Sequence, residues 1–164
     1  MAPGVPVTSL FAGLAGLYFI ELTRRVIAWR GKLKVGLGDG SQKQLVKNGS
    51  SGEEYDATYG TGSGEQQLPC EPLQVAIRCQ GNFIECTPLT FILLGAAEAS
   101  DVLPRAVLIT VGGVFLIGRV LHAEFGMKGR ATLGWGRVPG MAITLTSVGV
   151  LAFASIYGGL RDLL

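Results

Sequence analysis

The sequence is poor in charge, in histidine and in cysteine. Asp, Glu, Lys and Arg make up 16% of its 164 residues, well below the roughly 25% that is usual for soluble chains. The net charge of +2 gives no electrostatic case for nucleic acid as a partner. The one histidine, His122, and the three cysteines lack metal-ligand spacing, so the sequence predicts no metal site.

The apolar residues are concentrated in four long stretches. They predict an all-α, membrane-spanning four-helix bundle that forms a single domain over residues 1–164. The predicted helices cover about residues 5–30, 73–98, 102–125 and 138–160, and a flexible, Gly/Ser-rich cytosolic insertion covers about 40–70. No Lys or Arg precedes the first apolar stretch, which is unlike a cleaved signal peptide, so we expect the first helix to be retained.

The basic residues predict how the chain is oriented in the membrane. Lys and Arg are concentrated in the connections after the first and third helices, whereas the connection between the second and third helices offers only Arg105. By the positive-inside rule, the connections after the first and third helices face the cytosol, and both termini face away from it. The expected membrane is the endoplasmic reticulum or another endomembrane in a eukaryote, and the inner membrane in a bacterium.

Short spacings along the first and third helices predict local contacts. Glu21 lies three and four positions before Arg24 and Arg25, which predicts a local ion pair. Gly112–Gly113 and Gly118 would let the third helix approach a neighbouring helix closely, as small residues do in membranes.

The second apolar stretch, Leu73–Ala97, contains ionisable side chains at membrane depth. At about 3.6 residues per turn, Arg78, Asn82 and Glu85 fall on one face of a helix, hereafter the polar stripe. Each ionisable side chain at that depth costs roughly 2.5–3.5 kcal/mol, so the stripe must contact protein, water or a ligand instead of lipid. Two explanations remain open, a ligand site and a polar network that only joins helices or subunits. Pro88 predicts a kink in this helix.

Three further candidates lie near the cytosolic ends of the later helices. Arg119 and His122 are three positions apart near the end of the third helix, and Arg137 precedes the fourth. Pro139 suits the first turn of that helix, which places Arg137 at the positive end of the helix dipole. Each candidate has a structural alternative: Arg119 could pair with an acid such as Glu85, His122 could be an interior histidine, and Arg137 could anchor its helix at the cytosolic side.

These residues resemble the signature of a known family. Arg78-x3-Asn82-x2-Glu85-x2-Pro88 looks like the helix-two pattern of the MAPEG family, the membrane-associated proteins in eicosanoid and glutathione metabolism. Other stretches agree with the family in order and position, and the resemblance covers all four helices. It leaves out the insertion at about 48–69 and the tail beyond the fourth helix. The agreeing stretches are Arg25–Arg30, Lys34–Gly36 with Gly38–Gly40, Gly118–Ala123, and Arg137–Met141 with Thr144.

The resemblance implies a homotrimer of four-helix protomers. Glutathione would bind between neighbouring protomers, near the cytosolic ends of the helices. Arg78, Asn82 and Glu85 would hold the charged ends of the tripeptide, with Glu85 taking its amino group. This fits the chemistry of glutathione, which carries two carboxylates and one ammonium and therefore needs arginines and an acid together.

The resemblance also assigns roles to the residues around the stripe. Arg30 and His122 would line the same pocket, and Arg119 would lie beneath it in a buried polar network. Arg137 matches the arginine that is thought to stabilise the glutathione thiolate. A thiol of pKa about 8.5 is only a few per cent thiolate at pH 7, and lowering that pKa by about two units requires roughly 2.7 kcal/mol of differential stabilisation.

The sequence departs from the family at three positions. Cys86 follows Glu85 where many members have tyrosine, Gly126 stands where some eicosanoid enzymes have tyrosine, and Gly31 replaces the second of two basic residues. These departures favour the generic glutathione transferase-like branch over the eicosanoid-specific branches.

The predicted function is a membrane glutathione transferase, with glutathione peroxidase activity as a second outcome of the same chemistry. Its substrates would be glutathione and a lipophilic electrophile that enters from the bilayer lipid. The alternative is a non-catalytic lipid- or ligand-binding membrane adaptor of the same family. A small proton-coupled transporter using Glu85 and His122 is a third reading, and the absence of an internal repeat argues against it.

Overall fold

A computed structural model of the chain describes residues 4–36, 38, 72–128 and 133–164. Four long helices account for most of them, and α3 continues as a π-helical segment over Leu121–Met127, hereafter the π segment. The described residues contain no strand, so the prediction of an all-α fold is confirmed. The insertion predicted at about 40–70 lies outside the described residues. The helices are α1 (Pro6–Leu33), α2 (Pro72–Ala99), α3 (Arg105–Val120) and α4 (Arg137–Leu163).

Three of the four helices are long and apolar enough to cross a membrane. They are α1, α3 together with the π segment, and α4. The 28 residues of α2 match these helices in length, but polar side chains such as Arg78 and Glu85 interrupt its apolar run. By length and composition, the described residues therefore contain three candidate spans, one fewer than the four that were predicted.

Two helix ends differ from the predicted boundaries for identifiable reasons. α1 extends to Leu33 and ends at Lys34, which adopts the left-handed conformation with φ of 53°. α3 was predicted from about residue 102 but begins at Arg105. Asp101, with φ of 50°, cannot continue a right-handed helix, and Pro104 occupies the N-cap of α3, where its missing N–H costs nothing.

α2 continues through Pro88 as one helix. Hydroxyl groups on either side of the proline bond to the helix backbone. Thr87 Oγ1 donates to the Phe83 carbonyl at 2.5 Å, and Thr90 Oγ1 donates to the Cys86 carbonyl at 2.8 Å. Threonine back-bonding of this kind helps a membrane helix to tolerate proline.

The core is a series of apolar layers between the four helices. One end of the bundle contains the start of α1 and the end of α4 and is hereafter the terminal end. Toward this end, Phe11, Leu94 and Leu151 pack together. A middle layer contains Leu22 and Phe83, and further residues of α1 and α2 close the opposite end. This opposite end, where α1 and the π segment finish and α2 and α4 begin, is hereafter the loop end. Toward it lie all the candidate residues named from the sequence.

Glycines allow α3 to pack closely, as predicted. A Cβ atom added at Gly112 would lie 2.6 Å from the ring of Phe11, and one at Gly118 would lie 2.6 Å from the side chain of Ile143 in α4. At Gly113 the nearest atom would be 3.7 Å away, which is an ordinary contact. The close approaches therefore depend on Gly112 and Gly118.

At the terminal end, a carboxylate of α2 caps the start of α1. The backbone N–H groups of Val7 and Thr8 donate to Oε1 and Oε2 of Glu98, both at 2.8 Å. N–H groups in the first turn of a helix have no acceptor within the helix. A carboxylate there also interacts favourably with the helix dipole. Glu98 thus joins the end of one helix to the start of another.

We expect Glu98→Ala to lower the thermal midpoint Tm of the detergent-purified protein. Loss of a helix N-cap costs about 0.5–2 kcal/mol, and here the same change also removes a contact between two helices. Glu98→Gln is the matched control, because its amide keeps one acceptor oxygen, and its Tm should fall less. Equal Tm values for all three proteins would show that the cap does not stabilise the fold.

Candidate functional site

A buried arginine links the polar stripe to α4. Arg119, in the last turn of α3, is 1% exposed. Its Nη2 donates to Oδ1 of Asn82, and its Nη1 lies 3.5 Å from Oγ1 of Thr144. Thr144 in turn donates to the Gly140 carbonyl at 2.8 Å. Arg119 therefore forms a polar network within the protomer, and no ion pair joins it to an acid in the described part of the chain.

This network fixes the orientation of the Asn82 amide. A guanidinium has no acceptor, so Asn82 must turn its oxygen toward Arg119. The two N–H donors of Asn82 are then directed elsewhere, and the side chain is only half-buried. Arg119 Nε is buried and has no acceptor among the described residues. The N–H donors of the Asn82 amide therefore face away from the buried, positively charged guanidinium of Arg119.

The other two residues of the polar stripe point away from the protomer core. Arg78 and Glu85 are exposed. They share the exposed side of α2 with large apolar residues, of which Leu89 is 51% and Ile92 is 68% exposed. No hydrogen bond or ion pair joins Arg78 or Glu85 to a residue that the structure describes. The stripe therefore has one residue anchored inside the protomer and two charged residues on its surface.

Arg137 and His122 meet at the start of α4. Arg137 is the first residue of this helix and is exposed. No side-chain hydrogen bond caps the start of this helix at Gly136, and the Arg137 N–H donates to the Gly134 carbonyl at 3.0 Å. His122, in the π segment, is 2% exposed, and its Nδ1 lies 3.0 Å from the Arg137 carbonyl oxygen.

Arg30 remains apart from the other candidates. It lies in the last turn of α1 and is half-buried. Its Nη1 donates to the Gly36 carbonyl at 3.0 Å, which helps to close the C-terminus of the helix. Among the described residues the structure thus brings together two sets of candidates, Asn82 with Arg119 and His122 with Arg137.

A sequence model of the MAPEG family matches residues 8–157, which is most of the chain and includes every candidate residue. The chain belongs to the MAPEG family. Neither the curated proteins nor the solved structures contain a significant match to it. The match begins within α1 and ends within α4, so this MAPEG protein is a membrane protein whose family assignment rests on all four helices.

The MAPEG protein also contains an ionic cluster that the sequence did not fully predict. The expected local pair is confirmed, since Glu21 bonds both Arg24 and Arg25 at 2.7 Å. Arg25 additionally bonds Glu124 of the π segment at 2.5 Å. Glu124 also accepts from Tyr18 Oη at 3.0 Å and pairs with Lys128. The four-residue spacing of Glu124 and Lys128 is visible in the sequence, whereas the contacts across helices are not.

A cavity of about 390 Å³ lies between α1 and α2 at the loop end. It contains none of the candidate residues. Its walls are mostly apolar, and two basic side chains at its edge belong to the ionic cluster around Glu124. The lining residues are Leu22, Arg25, Trp29, Pro72, Val75, Ala76, Cys79 and Lys128.

Proposed function

We propose that this MAPEG protein is a glutathione transferase that conjugates the glutathione thiolate to a lipophilic electrophile from the bilayer. The observation that supports this most directly is the pair of charged residues, Arg78 and Glu85, on an otherwise apolar, exposed helix surface. Charges on a lipid-facing surface are costly, and those found in membrane proteins usually face a bundle interior, a subunit or a water-filled site. A ligand bound between protomers would remove both charges from lipid.

The charges around the stripe complement those of glutathione. Arg78, Arg119 and Arg137 provide three positive charges, and Glu85 provides one negative charge. Glutathione in its thiolate form carries two carboxylates, one thiolate and one ammonium. Arginine binds carboxylates with two parallel hydrogen bonds, Glu85 is suited to the ammonium, and the amide donors of Asn82 are suited to a carboxylate. We assign these residues to the binding site on that basis.

We further propose a homotrimer with the site between neighbouring protomers. Arg78 and Glu85 point away from their own protomer core, so a neighbouring protomer is needed to enclose them. In this arrangement the loop end faces the cytosol, where glutathione is supplied, and both termini face away from it. Arg30 and His122 belong to the surroundings of the site in each protomer.

Arg137 is the residue that activates the thiol in this proposal. Its guanidinium and the positive end of the α4 dipole would stabilise the thiolate, and the proton leaves to solvent. The sulfur then forms a bond to the electrophilic carbon while the leaving group departs with its bonding electron pair. With a lipid hydroperoxide, the thiolate sulfur attacks the terminal oxygen, the O–O bond breaks, and the lipid alcohol leaves after taking up a proton. The resulting glutathione sulfenic acid reacts with a second glutathione to give the disulfide and water.

The test is whether the purified protein, in detergent or nanodiscs, forms bound thiolate when glutathione is added. Thiolate is followed by its ultraviolet absorbance, and turnover is measured with a panel of lipophilic electrophiles and lipid hydroperoxides. We expect saturable thiolate formation and conjugation of at least one electrophile. Glutathione binding without thiolate or turnover would instead support the non-catalytic adaptor, and absence of binding would contradict the proposed site.

A variant of the stripe tests the binding residues separately from the chemistry. Glu85→Gln removes the negative charge opposite the glutathione ammonium. We expect the Kd for glutathione to rise by at least about tenfold, since a lost charge-assisted hydrogen bond of about 1.5–3 kcal/mol corresponds to roughly 13- to 160-fold. Glu98→Gln, on the same helix at the terminal end, should leave the Kd unchanged. A Kd that does not change in Glu85→Gln would remove Glu85 from the site.

A further inference from the structure

The π segment lies directly against the backbone at the start of α4. A π-helix forms i→i+5 hydrogen bonds, and such turns are rare and frequent at functional sites. The Gly134 N–H donates to the Gly126 carbonyl at 2.9 Å, and the Gly136 N–H donates to the Phe125 carbonyl at 3.3 Å. Backbone groups of the π segment thus hold Gly134 and Gly136, two of the three residues that lead into Arg137.

Glycine in the π segment permits this contact. A Cβ atom at Gly126 would lie 2.7 Å from both Cα and N of Arg137. Real Cβ atoms are not found at such distances from backbone atoms, and here neither backbone can move away without loss of the hydrogen bonds at Gly134 and Gly136. The main chain at Arg137 is therefore placed by the π segment.

His122 completes the contact with a directional hydrogen bond. Its Nδ1 is 3.0 Å from the Arg137 carbonyl oxygen. Because a carbonyl oxygen can only accept, Nδ1 must carry the hydrogen. The ring is 2% exposed, so this bond is formed in a site that excludes water, where leaving it unmade is expensive.

We infer that His122 is a positioning residue for Arg137. Its Nδ1–H holds the first carbonyl of α4, and with it the point from which the Arg137 side chain reaches the glutathione sulfur. This role differs from the pocket-lining role that the family resemblance implies for His122, and it rests on the function proposed above. Misplacement of a catalytic group by about 1 Å can cost on the order of 10²-fold in rate, so a positioning bond has a measurable effect.

The test compares variants of the trimeric protein that differ in the position of one N–H donor. His122→Leu removes the donor, His122→Asn places an amide N–H close to the position of Nδ1, and His122→Gln places it one methylene farther out. In the leucine variant we expect the pKa of bound glutathione to rise by about one unit and kcat at pH 7 to fall about threefold. The KM for glutathione should change less than about twofold. The asparagine variant should recover most of both losses, and the glutamine variant should not.

Hydrogen–deuterium exchange provides a measurement that does not depend on activity. We expect the peptide covering residues 133–141 to exchange several times faster in His122→Leu than in the unsubstituted protein, and at nearly the original rate in His122→Asn. If the leucine variant does not fold, the exchange rates and thiol pKa values of His122→Asn and His122→Gln still test the positioning role, because only the asparagine variant should resemble the unsubstituted protein. The positioning role would be overturned if amide exchange and thiol pKa were unchanged in the leucine and glutamine variants. It would also be overturned if the leucine, asparagine and glutamine variants all showed the same increase in exchange rate and thiol pKa.

The two proposals fail in different ways. If the unsubstituted protein forms no thiolate with glutathione, the proposed function is wrong, whatever the exchange data show. If thiolate forms and its pKa is insensitive to the donor at position 122, the proposed function stands and the inference about His122 is wrong.

Discussion

Replacing Arg137 by alanine is expected to raise the thiol pKa of bound glutathione by about two units, which corresponds to roughly 2.7 kcal/mol. At pH 7 the thiolate fraction would fall from about three quarters to about 3%, and kcat with it by about 25-fold. The Kd for glutathione should change by less than about threefold, because the carboxylates and the ammonium are bound by other residues. The measurements are a pH titration of thiolate absorbance in the complex and a binding isotherm.

Arg161→Ala is the matched control for this experiment. Arg161 is also an exposed arginine of α4, but it lies in the last turn of the helix and bonds Asp162 and the Ser100 carbonyl. It should leave the thiol pKa unchanged. Arg137→Lys keeps the charge without the forked donors, so an intermediate pKa is expected. An unaltered thiol pKa in Arg137→Ala would exclude Arg137 as the activating residue.

The helices were predictable because their ends carry local signals. Pro72, Pro104 and Pro139 lie at or near the starts of α2, α3 and α4, where proline is tolerated. Apolar runs between such signals are long enough to give the bounds to within about three residues. The polar stripe was also visible, since three residues on one face of a helix depend only on helical periodicity.

The contacts that organise the candidate site were not predictable from one sequence. Arg119 and Asn82 are 37 positions apart, and Arg25 and Glu124 are 99 positions apart. Which acceptor a buried arginine takes depends on how the helices pack, and the sequence offered Glu85 as readily as Asn82. The network with Asn82 and Thr144 leaves Glu85 on the surface.

The π segment was also missed, for a different reason. An apolar periodicity fixes the face of a helix but does not distinguish i→i+4 from i→i+5 hydrogen bonding over seven residues. The only local hint is the set of glycines at positions 126, 134, 136 and 140, whose spacing matches no regular helix face. Their common reason appears in the structure, where each would clash with a neighbouring backbone if it carried a Cβ atom.

The second large effect is expected from Gly140→Ala, which should strongly lower the Tm of the protein. A Cβ atom at Gly140 would lie 2.7 Å from the Gly118 carbonyl oxygen and 2.8 Å from the backbone N of His122. Overpacking typically costs about 1–3 kcal/mol when side chains can adjust. Here the obstructing atoms belong to the backbone of α3 and the π segment, so we expect a cost at or above the upper end of that range.

Gly149→Ala, on the same helix, separates this packing effect from helix propensity. A Cβ atom at Gly149 would have no neighbour within 4 Å, so alanine there should leave Tm unchanged or raise it, since glycine inside a helix is less favourable than alanine by about 0.5–1 kcal/mol. The two changes in Tm should have opposite signs because α4 contacts the backbone of α3 at Gly140 and not at Gly149. Similar Tm values for the two variants would mean that the contact between α4 and α3 at Gly140 is looser than the structure has it.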